Sequence, residues 1–279
     1  MPFSFKQLWP ARSTKGNRVI KSNSGPKIER SENAGAFPLF FKRPAPLDKK
    51  RHAKAGLLPK QNLAFAATTN SIAINAVEFF EASKEYPIVF TQSENILPVA
   101  IVGLEQQNYF VNSKGNWKEG AYLPAYVRRY PFVFMDMPER KEFLLCIDEE
   151  AEQYQESGGK DALLLYKDGE PSELTRNALE FCTAFHNHHQ LTRRFCADIK
   201  AADLLMPAQS NAKLYSGREI RLSGFQAIDE KKLKALPDEK VLELFKKGWL
   251  PLIYAALMSA SNWKKLVEMA AVQEKQKSN

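Results

Sequence analysis

The longest sustained pattern in the chain runs over residues 172–200, where Leu174, Ala178, Phe181, Phe185, His188, Thr192, Phe195 and Ile199 recur at steps of four and three. Residues at that spacing lie over one another on an α-helix, so the pattern predicts one long amphipathic helix with a continuous face for a core. His188 falls on that stripe and reads as a hydrogen-bonded core histidine.

Ahead of the helix, residues 88–90, 97–103, 109–112 and 143–147 are short β-branched or aromatic stretches separated by Asn, Ser and Gly. They read as strands of an antiparallel hairpin or meander. Asn75 with Glu78 three positions on is a capping-box signal for a helix that must stop before Pro87. After the long helix, residues 212–215 and 219–228 flank Ser216-Gly217, a hairpin turn. Pro237, Asp238 and Glu239 open a helix that Gly248 closes, and residues 250–273 form a last helix with Ile253, Leu257, Ala260 and Val267 on one stripe. Strands grouped first and helices late predict an α+β fold, a largely antiparallel sheet packed with a long central helix and C-terminal helices.

Charge divides the chain. Residues 1–60 hold 14 Lys and Arg against three acids, whereas residues 61–279 hold 26 basic and 29 acidic residues. The net charge of +8 therefore belongs to the front end, and the body does not carry the basic surface of a specific nucleic-acid binder. With no sustained period, residues 1–60 read as a basic, flexible N-terminal arm in which residues 37–41 (FPLFF), Leu57 and Leu58 are anchor points. Residues 61–273 read as one globular domain or two lobes, and residues 274–279 as a disordered tail.

The longest apolar run, residues 249–258, has ten residues and contains Pro251, too short for a membrane span of about 20. The first 30 residues lack the apolar stretch of a secretory signal, so the expected location is the cytoplasm, with a signal-independent route to the cell surface as the alternative. Cys146, Cys182 and Cys196 are odd in number and flanked by apolar residues, as for buried reduced thiols.

The densest polar and aromatic cluster is Tyr122, Tyr126, Arg128, Arg129 and Tyr130 between Pro124 and Pro131. A short helical turn there would set Tyr126 and Tyr130 on one face beside two planar guanidinium forks, a pattern suited to carboxylate or phosphate. The competing reading is that the arginines stack on rings and bond local groups. Cys182, His186 and His189 share a helix face but lack a fourth ligand, so no metal is expected there; they stand as the alternative metal site. Asp148-Glu149-Glu150 reads as a solvent-facing junction, and phosphate-loop, dinucleotide and hydrolase-elbow motifs are absent, so no cofactor is expected.

Several segments in order resemble the bacterial SapC-like family: residues 86–90 (YPIVF), 98–104 (PVAIVGL), 120–132 (GAYLPAYVRRYPF), 145–149 (LCIDE), 224–230 (GFQAIDE), Gly248-Trp249, 253–257 (IYAAL) and Asn262-Trp263. The resemblance covers about residues 60–270. The similarly named peptide-transport permease is a different, membrane protein. The resemblance implies a link to bacterial surface layers and carries no catalytic residue or cofactor. The expectation is a non-catalytic binding or accessory protein of cell-surface or transport systems, whose partner is a protein or a small anionic ligand. The alternative is an enzyme with a pocket assembled from sequence-distant residues such as His186, His189 or Asp148.

Overall fold

A computed structural model describes residues 37–59, 62–137, 142–214 and 216–278. The strands in chain order are β1 (Pro44–Pro46), β2 (Gly56–Leu57), β3 (Ser71–Ala73), β4 (Ile88–Thr91), β5 (Pro98–Ile101), β6 (Phe132–Met137) and β7 (Glu142–Asp148). They continue with β8 (Tyr154–Gln155), β9 (Leu163–Leu164), β10 (Tyr166–Lys167), β11 (Glu170–Pro171), β12 (Leu205–Lys213) and β13 (Glu219–Ile228). The helices are α1 (Phe79–Ala82), α2 (Ala125–Arg128), α3 (Glu173–Ala201), α4 (Glu230–Lys234), α5 (Asp238–Lys246), α6 (Leu250–Ser259) and α7 (Asn262–Ser278). All strand pairs are antiparallel, and the fold is α+β.

The chain divides into two units, each made of two stretches: residues up to 62 with 128–186, and 63–127 with 187–279. In the first, β1, β7 and β6 form one sheet, β8, β2 and β9 a second, and β10 and β11 a hairpin. Ala45 and Phe132 both face Ile147 in register from opposite sides of β7. The first half of α3 presents Leu174, Ala178 and Cys182, one turn apart, to a core that includes Ala55, Leu57, Phe132, Ile147 and Leu165. Thr175 locks this helix start by donating its hydroxyl to the Leu165 carbonyl at 2.7 Å. Pro44 and Pro46 are tolerated because β1 is an edge strand. Gly56 is required by close approach: a Cβ there would lie 2.7 Å from the Leu163 carbonyl oxygen.

Residues 37–59, placed by the sequence in a flexible arm, are therefore part of this unit. A three-residue and a two-residue strand show no visible period, which is why composition dominated that reading. Residues 1–36 lie outside the described residues.

In the second unit the five-stranded sheet has the order β12-β13-β4-β5-β3. Its core is aromatic: Phe195 of α3 meets Phe79 at 5.7 Å, Phe90 at 6.3 Å and Trp249 at 5.4 Å between ring centroids. The Asn75–Glu78 capping box forms, although its first turn is a 3-10 turn leading into α1. Gly217 and Gly248, both at positive φ, close the β12–β13 turn and terminate α5, as their positions predict.

Four readings of local structure are corrected. Residues 109–112 form only an isolated bridge, Val111 to Trp117, because Asn108 bends the chain with its own side chain. Residues 250–273 are two helices, since Asn262 leaves the first to donate to the Ser83 and Tyr86 carbonyls at 2.6 and 3.2 Å. That break turns the core face to Leu252, Ile253, Ala255, Ala256 and, in α7, Leu266 and Ala270, away from the single stripe expected. The segment expected as a disordered tail continues α7 to Ser278, because no Gly or Pro interrupts it. His188 is exposed, not a core histidine; the adjacent buried position is filled by Thr192.

Candidate functional site

The cluster around Arg128 is built where β6 leaves α2. Pro124 starts the turn and its carbonyl accepts from Val127 at 3.0 Å, but the helix ends at Arg128, so Tyr130 is outside its register. The five sequence-predicted residues are divided: Tyr122 and Tyr126 belong to the second unit, Arg128, Arg129 and Tyr130 to the first. Tyr122 is engaged with its own unit. Its phenol donates to Glu78 at 2.9 Å and its carbonyl accepts from the Tyr86 hydroxyl. Glu78, buried, also takes the Ala125 and Asn75 backbone N–H groups at 2.8 and 2.7 Å.

In the first unit Arg128, half-buried, lies over the Phe181 ring at 5.3 Å. Arg129 is buried with its guanidinium 4.6 Å from Phe185 and 5.6 Å from Phe41. Phe181 and Phe185 are the one-turn pair of the helical stripe in α3, so part of the face predicted as pure core is a platform for two arginines. Phe41, the docked member of the FPLFF anchor, also meets Tyr130 edge-on at 5.2 Å.

Tyr130 turns inward to a network that the sequence reading did not assemble. Its hydroxyl donates to Asp148 Oδ2 at 3.1 Å, and burial first, then the adjacent acid, pushes its phenol above the usual tyrosine range. Asp148 is fully buried and accepts the backbone N–H groups of Lys42 at 3.0 Å and Arg43 at 2.8 Å. Its neighbour Glu149 accepts from Arg51 at 2.5 Å and lies 3.4 Å from Arg43 Nε. Beside it sits His52, fully buried. His52 Nδ1 lies 3.0 Å from the Asp48 backbone N and 3.2 Å from the Asp48 carbonyl oxygen, and its Nε2 is 3.1 Å from Glu149 Oε1. Asp48 in turn accepts the N–H groups of Arg51 and Lys50, the chief reason its carboxyl titrates below the ordinary range.

Asp148 and Glu149 are thus not the solvent-facing acids expected from their position at a strand end; they hold the segment 42–52 in place. The signal that could have found them was charge complementarity between the basic front end and the run Asp148-Glu149-Glu150, together with Asp48 two and three residues before the N–H groups that it caps.

Of the residues named as the alternative metal site, Cys182 is packed in the first unit's core, where burial pushes its thiol up to about 12, and His186 lies tilted against Phe143 at 4.3 Å between ring centroids. Among the described residues no group of three or more His, Cys, Asp or Glu is placed to hold a metal ion, and no helix is long and apolar enough to cross a membrane. The three cysteines are free and buried. The second unit has a concavity of about 300 Å³ lined by residues that include Gln92, Ser93, Lys200, Asp203 and Gln226, none of them predicted. Its glutamine amides lace β4 to β13, donating to the Phe225 and Thr91 carbonyls at 3.0 Å each.

These features define the class: an α+β protein with stacked arginines beside a buried Tyr-Asp and His-Glu network. The chain belongs to the SapC family, whose model matches residues 47–266 and so takes in Asp48, Arg51 and His52 as well as the Arg128 segment. No curated protein and no solved structure matches it.

Proposed function

We propose that the chain is a non-catalytic binding or accessory protein linked to bacterial cell-surface or transport systems, and that Arg128 presents its guanidinium to a protein carboxylate or a small anion. The observation that carries this reading is the contrast between the two arginines. Arg129 is buried between Phe41 and Phe185, whereas Arg128, over Phe181, is half-buried and so keeps part of its surface open to solvent. A guanidinium stacked by its face on a ring keeps its donors in the plane, where a carboxylate or phosphate is recognised.

The groups that a catalytic reading would use are engaged otherwise. Asp148 accepts three backbone N–H groups and the Tyr130 hydroxyl, and the buried thiols are held protonated at neutral pH. This favours recognition over acid–base or nucleophilic chemistry. Tyr130 and Arg129 then act as supports that fix the height and direction of Arg128.

Calorimetric titration of the full chain with citrate, inorganic phosphate and polyglutamate tests the reading. Binding of at least one, weakened about tenfold by Arg128→Ala and partly restored by Arg128→Lys with an unchanged melting temperature, is the expected result. No binding by the wild type, or equal binding by Arg128→Ala, overturns it.

A further inference from the structure

Helix α5 in the second unit carries a polar-apolar-polar stripe that nothing described so far uses. Asp238, Leu242, Phe245 and Lys246 stand at i, i+4, i+7 and i+8, one face of the helix. All four are exposed, Leu242 at 50% and Phe245 at 66%, while Leu244 on the opposite side is the helix's buried anchor.

The charges of this helix fall into two sets. Glu243 is paired with Lys240 and Lys247 at 2.9 Å each, and Lys247 also reaches Asp198 at 3.0 Å. Asp238 and Glu239 at the start and Lys246 at the end make no ion pair among the described residues. Acids at a helix start and lysine at its end suit the helix's own dipole, which accounts for the charges. It does not account for a leucine and a phenylalanine left in water between them.

We propose that this stripe is a two-fold docking surface for a second copy of the chain. Leu242 is four positions from both Asp238 and Lys246. Antiparallel pairing of two α5 helices about an axis at Leu242 therefore sets Asp238 of each copy against Lys246 of the other. The same arrangement seats each Phe245 between Asp238 and Leu242 of the second copy. An interface of this kind is self-complementary, as a two-fold contact must be. An anionic membrane surface fits less well, because it would repel Asp238 and Glu239 at one end of the stripe. A nine-residue helix is about 13 Å long, well short of the ~800 Å² per partner of a standard interface, so the dimer is weak, with Kd of about 100 µM.

Sedimentation velocity on the full chain from about 5 to about 500 µM tests the proposal. The wild type shifts toward dimer across that range. Phe245→Glu stays monomeric, with an unchanged circular-dichroism melting curve because the site is exposed. Asp238→Lys and Lys246→Asp each raise Kd about tenfold, and mixing the two variants restores the wild-type value because both cross-contacts regain opposite charges. A monomeric wild type at the highest concentration, a dimer indifferent to Phe245→Glu, or a mixture no tighter than its components overturns it. So does a monomeric wild type that binds phosphatidylglycerol vesicles through Phe245, which would give the stripe to a lipid surface.

Discussion

Tyr130 donates its phenolic hydrogen to Asp148, and that same carboxyl group, fully buried, also receives the chain at Lys42 and Arg43, 105 positions earlier for Arg43. Removing the acid would strand four donors, the Glu150 backbone N–H among them, whereas removing the phenol leaves the three backbone bonds to the acid in place. Asp148→Ala is therefore expected to cost about 3 kcal/mol and Tyr130→Phe about 1 kcal/mol, measured by urea unfolding. Equal costs would mean that the backbone bonds to Asp148 contribute little.

The two arginines should separate in the same assay. Arg129→Ala removes a buried guanidinium and its contacts with two rings, for a loss of about 2–3 kcal/mol. Arg128→Ala removes a half-buried guanidinium from over Phe181, for a loss of less than about 1 kcal/mol. The reverse order would assign Arg128 to structure.

Cys146, Cys182 and Cys196 are each pushed up to about 12, with burial the first cause in every case. The thiolate fraction at pH 8 is then about 10⁻⁴, so the native protein should resist a thiol reagent such as Ellman's and release all three thiols when unfolded. Rapid labelling of any one in the native state would show that its segment opens.

Alkaline pH should destabilise the fold. Between the ordinary thiol value of 9.0 and about 12, the native state keeps protons that the unfolded chain has released. The raised phenols of Tyr86 and Tyr130 act in the same direction above 10.0. Stability from these groups is complete below about pH 9 and is lost as pH rises toward 12. The urea midpoint should hold from pH 7 to about 8.5 and fall steadily by about pH 11.

Gly56→Ala should be severe for its size. The new methyl group would meet a backbone oxygen at 2.7 Å, so β2 and β9 must separate, at a cost of about 2 kcal/mol or more.

Elements with a long period or a marked terminus were legible in the sequence: α3 from its stripe, the capping box at Asn75, the β12–β13 turn from Gly217, the end of α5 from Gly248. Strands β1, β2 and β6 were not. The first two are too short to alternate, and β6 follows the Arg-Arg-Tyr-Pro segment whose side chains suggested a ligand surface. Arg129 and Tyr130 stand out in the sequence as part of a dense polar and aromatic cluster, but sequence order cannot reveal that their neighbours are Phe185, Phe41 and Asp148. Those contacts join residues brought together only by the fold, as does the pairing of His52 with Glu149.

Both units are assembled from two separated stretches, with residues 63–127 inserted between the halves of the first. On a ribosome, β1 would emerge long before β7, the strand it pairs with, and would wait through synthesis of the whole insertion. Neither unit can be cut out as one continuous fragment, so expression trials aimed at either should join its two stretches with a short linker in place of the intervening chain.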